Sequence, residues 1–288
     1  MTRGLPLGLF ASSAIGQDYA TIQAERVATN LRYVGGAVWS RDGFLIFSDV
    51  LKPMVYRLDP NTPPKPTEVS TSGAQGLAYD VQGRLHFCEL LTRRIMRMDR
   101  RGKTEVLIDQ FEGKKLNGPK DAIVRKDGHI YFVDPAFAGA IDRRELPFNG
   151  VFHMTPKGEV ETVARWQTRP NGIALTADGK TLYVTDADRH AVVAFTLDGR
   201  GAASGERDHI TDIEGVPSGL RADVDGRLYV GESGLGVYSR EGKREHLVLD
   251  GDVVTNCAFG DNDFETLYVC GRKAVYKLRL GVKGALQY

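Results

Sequence analysis

One short pattern recurs along the chain; it opens on a polar or small residue and closes, with one exception, on an acid. The opening positions are Gly35, Gln75, Lys120, Asn171, Ser218 and Asn256, and the closing positions, 14 or 15 residues later, are Asp49, Glu89, Asp134, Asp186, Glu232 and Cys270. Several of these types have a definite chemical use. Lys120 can act as a fixed cation, as an amine nucleophile, or as the ion-pair partner of a neighbouring carboxylate; nucleophilic use requires apolar burial or a second cation. Glu89 and Glu232 are candidate general bases, because restricted hydration makes a carboxylate hold a proton more tightly. Asn171, Gln75 and Asn256 can donate hydrogen bonds to a carbonyl or an oxyanion. Ser218 has no adjacent histidine, so a serine-hydrolase triad is not indicated.

Chemistry of this kind needs the opening positions to be neighbours, and the spacing supplies a scaffold that makes them so. Successive copies start 40, 45, 51, 47 and 38 residues apart, the length of a four-stranded propeller blade. Within a copy, two apolar runs flank a DG, QG or DN turn, which is the grammar of a hairpin. Segments such as RIMRMDRRGKTEVLI and GVFHMTPKGEVETVA repeat strand, glycine turn and strand, and supply two outer strands. Six copies therefore predict an all-β, six-bladed β-propeller over residues 18–288, with the first strand of each copy innermost. The six opening residues then crowd one mouth of the central channel, with the acidic closing residues beside them. Residues 21–29, TIQAERVAT, are expected to pair with the last blade and protect its edge. The connection 136–148 leaves a second strand and overhangs the same mouth, as a lid or as a passive surface loop.

Composition narrows the partners. With Lys+Arg 38 against Asp+Glu 37, the net charge is +1, and no basic tract offers a nucleic-acid platform. No run of about twenty apolar residues could span a membrane. Cys88, Cys257 and Cys270 form no CxxC pair and are expected as buried free thiols, with Cys270 opposite Asn256 rather than Cys257. None of the six histidines forms a metal-spaced pair, though His153 and His190 are placed to approach the mouth. Residues 1–17, with the short apolar run LPLGLFA, read either as a short secretory signal, implying export, or as a disordered leader of a cytoplasmic protein.

From Glu112 to Phe137 the chain reads EGKKLNGPKDAIVRKDGHIYFVDPAF, and from Arg169 to Asp186 it reads RPNGIALTADGKTLYVTD. These segments resemble the bacterial branch of the senescence marker protein, gluconolactonase and luciferin-regenerating enzyme family, with weaker likeness from about Arg26 to Gly284. The resemblance implies six blades and hydrolysis of a small lactone or ester. It also implies a divalent, calcium-like cation at the mouth, held by a Glu in EGPVW, an Asn in PNG and an Asp in PDG, with an Asn in PND assisting. Here Asn171 keeps the PNG position, while Gly35 replaces the Glu, Ser218 the Asp and Lys120 the assisting Asn; Asp121 is matched. Losing two carboxylates and gaining an ammonium is expected to leave the cation weakly bound or absent, unless the closing acids host it nearer another blade.

The candidate catalytic residues are accordingly Lys120, Asn171, Glu89 and Glu232, and the candidate substrate-binding residues are Gln75, Asn117, Asp121, Ser218, Asn256 and Phe137. Lys120 is expected to be salt-bridged to Glu89 or Asp134. The alternatives to lactone hydrolysis are Schiff-base chemistry at Lys120 and a non-catalytic small-molecule-binding propeller.

Overall fold

The computed structural model describes residues 19–67, 69, 71, 73–249 and 251–286; the leader 1–17 lies outside them. Six four-stranded antiparallel sheets follow one another as blades, the first five built from inner to outer strand in chain order. Blade 3, for example, comprises Asp121–Val124, Ile130–Asp134, Asn149–Met154 and Val160–Trp166. Blade 6 has three strands from the C-terminal end, Val254–Gly260, Thr266–Gly271 and Val275–Arg279, and takes its outermost strand, Ala24–Ala28, from the N-terminal side. The expected pairing of 21–29 with the last blade is thus found, Glu25 lying opposite Lys277. Joining the two ends of the described chain in one sheet closes the ring and removes an open edge.

Inner and second strands are buried almost throughout, as in Val34–Ser40 and Leu85–Glu89, while outer strands alternate or face solvent. The core is correspondingly divided into apolar layers between successive blades. Trp39 and Phe47 of blade 1 pack with Ala258, Tyr268 and Cys270 of blade 6, and Tyr131 and Val151 of blade 3 pack with Ile173 and Val193 of blade 4. Cys88, Cys257 and Cys270 are free and buried, as expected, and burial pushes the Cys257 thiol up to about 12.

Adjacent inner strands approach closely because small residues stand at their contacts. A Cβ on Gly172 would lie 2.3 Å from the Ser218 carbonyl oxygen of blade 5, and one on Gly76 would lie 2.6 Å from Asp121 Cα of blade 3. The glycine that follows the opening residue in four of the six copies is therefore the space that lets opening residues of neighbouring blades converge.

Candidate functional site

The opening residues are aimed by bulges. In blade 1 the ladder runs from Val34 opposite Asp49 to Ala37 opposite Phe47, leaving Gly35 and Gly36 outside regular pairing. The same irregularity leaves Gln75 and Gly76 between Ala74 and Leu77, and Asn171 and Gly172 between Pro170 and Ile173. Opening and closing residues are consequently not direct partners in these blades, because the extra residue shifts the register by one; Asn256 opposite Cys270 is as expected. A bulge turns a side chain off the regular alternation and is frequent beside functional sites.

Contacts between distant blades show that these residues share one axis. Asn256 of blade 6 donates through Nδ2 to Asp121 Oδ2 of blade 3, 3.4 Å away, and these blades stand opposite each other in the ring. Arg221 of blade 5 places Nη1 3.7 Å from the same Asp121 oxygen and 3.3 Å from the Ile173 carbonyl of blade 4. Burial raises the proton affinity of Asp121, against the opposing pull of Arg221 and Lys120. Asn256 is further fixed by accepting the Cys257 amide, and Asp121 by accepting that of Ala122.

Three groups of this ring are left uncommitted. Asn171 donates through Nδ2 to the Pro217 carbonyl, 2.9 Å away, which orients the amide and leaves its buried Oδ1 without a partner. Gln75 Oε1 is likewise buried and unpartnered. Lys120 is 9% exposed, and its ammonium makes no ion pair or side-chain hydrogen bond among the described residues. Buried polar groups are ordinarily satisfied, so two unsatisfied amide oxygens and an ammonium without an ion pair near a common axis form a ligand-shaped deficit. Ser218, by contrast, spends its hydroxyl on the Thr255 carbonyl.

The closing acids do something different from what their position suggested. Glu89 accepts from Thr92 and Arg94, each at 2.6 Å, and Glu232 accepts from Tyr238 with Arg244 beside it. Asp134 accepts the amides of Asn117 and Gly118, Asp49 those of Arg32 and Tyr33, and Asp186 those of Asp188 and Arg189. These carboxylates hold the connections between strands and blades, because the amides there have no ladder partner. The expected Lys120 salt bridge to Glu89 or Asp134 is therefore not made, Glu89 is engaged by Thr92 and Arg94, Glu232 keeps its buried Oε2 without a partner, and no three of these acids are grouped as a metal site among the described residues.

Other expected contributors also lie elsewhere. Asn117 donates its amide to the carbonyls of Asp134 and Phe148, tying down the far end of the 136–148 connection, whose Leu146 and Phe148 are buried, and its own buried Oδ1 is left without a partner. Phe137 is half-buried under the Arg169 guanidinium, 4.8 Å from its ring centroid. His153 packs on Tyr131 and joins His129 and Glu161 within blade 3, and His190 bonds the Ile213 carbonyl, so neither reaches the axis. Arg221 was not singled out by sequence, yet its signal was present: three residues after the opening position the other copies carry Val38, Ala78, Ile123, Ala174 and Phe259, all apolar. Cavities of about 610, 890 and 390 Å³ lie among peripheral strands and turns, and none includes a candidate residue.

The mouth does not fit the cation that the resemblance implies. Gly35 offers no ligand, and a Cβ there would lie 2.5 Å from Val50 Cγ2 and 2.9 Å from Ser48 Oγ, so the space for a side chain is taken. Ser218 is committed to backbone, and Lys120 brings positive charge. Two neutral amide oxygens and the single Asp121 carboxylate, already faced by the Arg221 guanidinium and next to the Lys120 ammonium, are a poor substitute for the several carboxylates a hard cation requires. Among the described residues, no three His, Cys, Asp or Glu side chains are grouped as a metal site.

Comparison with known proteins agrees with this architecture. The chain is 27% identical over 287 residues to a gluconolactonase of Zymomonas mobilis, covering 88% of this chain and 80% of that one. Regucalcin of Xenopus laevis is 26% identical, with 87% of each chain covered. A solved gluconolactonase from Xanthomonas campestris superposes with a TM-score of 0.84 at 27% identity over 90% of both chains. The family described as the SMP-30/Gluconolactonase/LRE-like region matches residues 35–272, and the chain belongs to that family.

Proposed function

We propose that the protein hydrolyses a small lactone or ester at the axial mouth, with Lys120 taking the electrostatic role that a divalent cation would otherwise fill. The observation that carries this reading is Lys120, 9% exposed and without an ion pair among the described residues, in a ring that also holds the unpartnered oxygens of Gln75 and Asn171. An unpaired cation in a site with restricted hydration is set to stabilise an oxyanion, since its attraction is weakly screened there. The amide oxygens of Gln75 and Asn171 accept hydrogen bonds from the attacking water or from substrate hydroxyls. Among the described candidates, Asp121 is the carboxylate that reaches the axis, and its raised proton affinity suits it to receive the proton.

In balanced form, the water oxygen bonds to the carbonyl carbon and one water proton passes to the Asp121 carboxylate, while Lys120 stabilises the oxyanion. Collapse breaks the acyl carbon–oxygen bond; the departing alkoxide takes the proton from Asp121, and the hydroxy acid leaves as its carboxylate with a proton to solvent. Relatives named gluconolactonase support the reaction class. The test is a lactone and ester panel assayed with a chelator and with added calcium, manganese or zinc. Chelator-resistant turnover is expected; turnover that depends on an added ion would overturn the role given to Lys120.

A second reading rests on the same free amine. Lys120 can condense with a ketone or aldehyde to an imine, releasing water. Borohydride trapping followed by peptide mass analysis would detect an adduct on Lys120, and its absence across a carbonyl panel rules the imine route out.

A further inference from the structure

We infer that the substrate is amphiphilic, a lactone or ester whose polar end enters the mouth and whose alkyl or aryl substituent rests on an apolar rim around it. The inference rests on the hydrolase reading for the identity of the reacting group. In each blade the first strand starts at the mouth and the second returns to it, so the connections from second to third strand and from fourth to next first strand lie on the mouth face. Of the eight large apolar side chains exposed among the described residues, five stand on these connections: Leu51, Leu91, Ile141, Val216 and Val253, each 45 to 63% exposed. They come from five different connections.

Local geometry ties this rim to the axial residues. Val216 precedes Pro217, whose carbonyl orients Asn171, and stands two residues before Ser218. Leu91 lies 3.4 Å from the Cβ position of Gly73, two residues before Gln75, and Val253 stands three residues before Asn256. Leu51 follows Val50, whose methyl fills the space beside Gly35. Isolated exposed leucines are ordinary, but a concentration on one face around convergent polar groups marks a binding surface. A fully hydroxylated sugar lactone would leave this rim in water, whereas a hydrocarbon substituent would cover it. The same connections carry Asp142, Glu145, Asp212, Glu214 and Asp252 against Lys52, Arg93, Arg143 and Arg144, so they offer no net positive charge to an anionic lipid surface.

The experiment compares kcat/KM for glucono-lactone and for γ-lactones bearing methyl to hexyl substituents, using the full chain and the variants Leu51→Ser, Leu91→Ser and Val216→Ser. The expected result is a rise of about tenfold from methyl to hexyl, as partial burial of added methylenes would give. Each variant should lower the hexyl value severalfold and leave the methyl value unchanged. A flat series, preference for glucono-lactone, or variants that act equally on all substrates would overturn the inference. If no lactone is cleaved, the hydrolase reading fails, and direct binding of the same series by calorimetry still decides: affinity rising with chain length and lost in the variants upholds the rim, and no such trend refutes it. Sedimentation with phosphatidylcholine vesicles, abolished in the serine variants, would assign the face to lipid instead and likewise overturn the proposal.

Discussion

The two ends of the repeated hairpin, the openings at the axis and the closings at the connections, are built from the same number of copies but obey different rules. At the closings, Asp49, Glu89, Asp134, Asp186 and Glu232 are nearly uniform in type, and each has protein donors for its carboxylate. At the openings no such uniformity exists: glycine, glutamine, lysine, serine and two asparagines succeed one another, and Gln75, Lys120 and Asn171 keep groups without partners. Repetition with protein donors at every copy marks a structural device that each blade needs, Glu232 with its unpartnered Oε2 being the least complete, while variation with unsatisfied groups marks a place where something outside the chain is to be met.

Replacing one residue at each end should separate these roles. Lys120→Met keeps length and packing but removes the charge; we expect kcat/KM to fall by at least about 100-fold, the scale of one lost oxyanion donor, with the melting temperature nearly unchanged. A comparable fall in melting temperature and rate would place Lys120 among the structural residues. Asp134→Ala should do the opposite. The amides of Asn117 and Gly118, each 2.7 Å from the carboxylate, would be left buried without an acceptor, a loss on the order of 3 kcal/mol. That corresponds to about 5 °C in melting temperature for a chain of this size, while activity at low temperature should change little.

The altered cation site gives a third contrast. Restoring the family pattern with Gly35→Glu, Ser218→Asp and Lys120→Asn should not by itself produce a calcium-dependent rise in melting temperature, because Val50 Cγ2, 2.5 Å from the Cβ position, occupies the space at position 35. Adding Val50→Ala should open the site, and a rise equivalent to about 2.7 kcal/mol is expected at a hundredfold excess over the dissociation constant. A calcium response already present in the triple variant, or in the native chain, would show that the steric and charge argument fails.

The sequence carried the blades well because hairpin turns, strand lengths and repeat spacing are local properties, and it carried the closure by Ala24–Ala28 because an extra strand needs an open edge. It also placed Gln75, Lys120, Asn171, Ser218 and Asn256 around one axis, since equivalent positions in a ring of blades must be neighbours. What it could not carry was direction. Glu89 stands at a strand end near the mouth, but the choice between facing the axis and facing Arg94 depends on a partner four positions beyond Leu90 that repeat alignment does not rank. Bulges shifted Gly35, Gln75 and Asn171 by one register step, an effect with no signature in the apolar pattern. Arg221 is different, since it was legible as a break in the apolar rule kept by its five equivalents.

Burial acts on an acid at each end, and the two should be distinguishable by which observable follows pH. Asp134 is pushed up to about 7 by burial, opposed by the two amides that it accepts. Its proton affinity is therefore higher folded than unfolded, so the folded chain binds the additional proton between the ordinary carboxylate value and about 7. Stability then falls as pH rises through that window and is flat above it, with a slope of at most about 1.4 kcal/mol per pH unit from one proton; in Asp134→Asn this contribution should vanish, whatever the variant's absolute stability. Asp121 is also raised by burial, against Arg221 and Lys120, but as the proton acceptor it must be ionised to work. Activity should thus fall as pH drops through a range above that of an ordinary carboxylate, and the acid limb of kcat/KM should persist in Asp134→Asn. An acid limb that moves with Asp134 instead would mean that the structural acids set the rate, and the division between the two ends of the hairpin would fall with it.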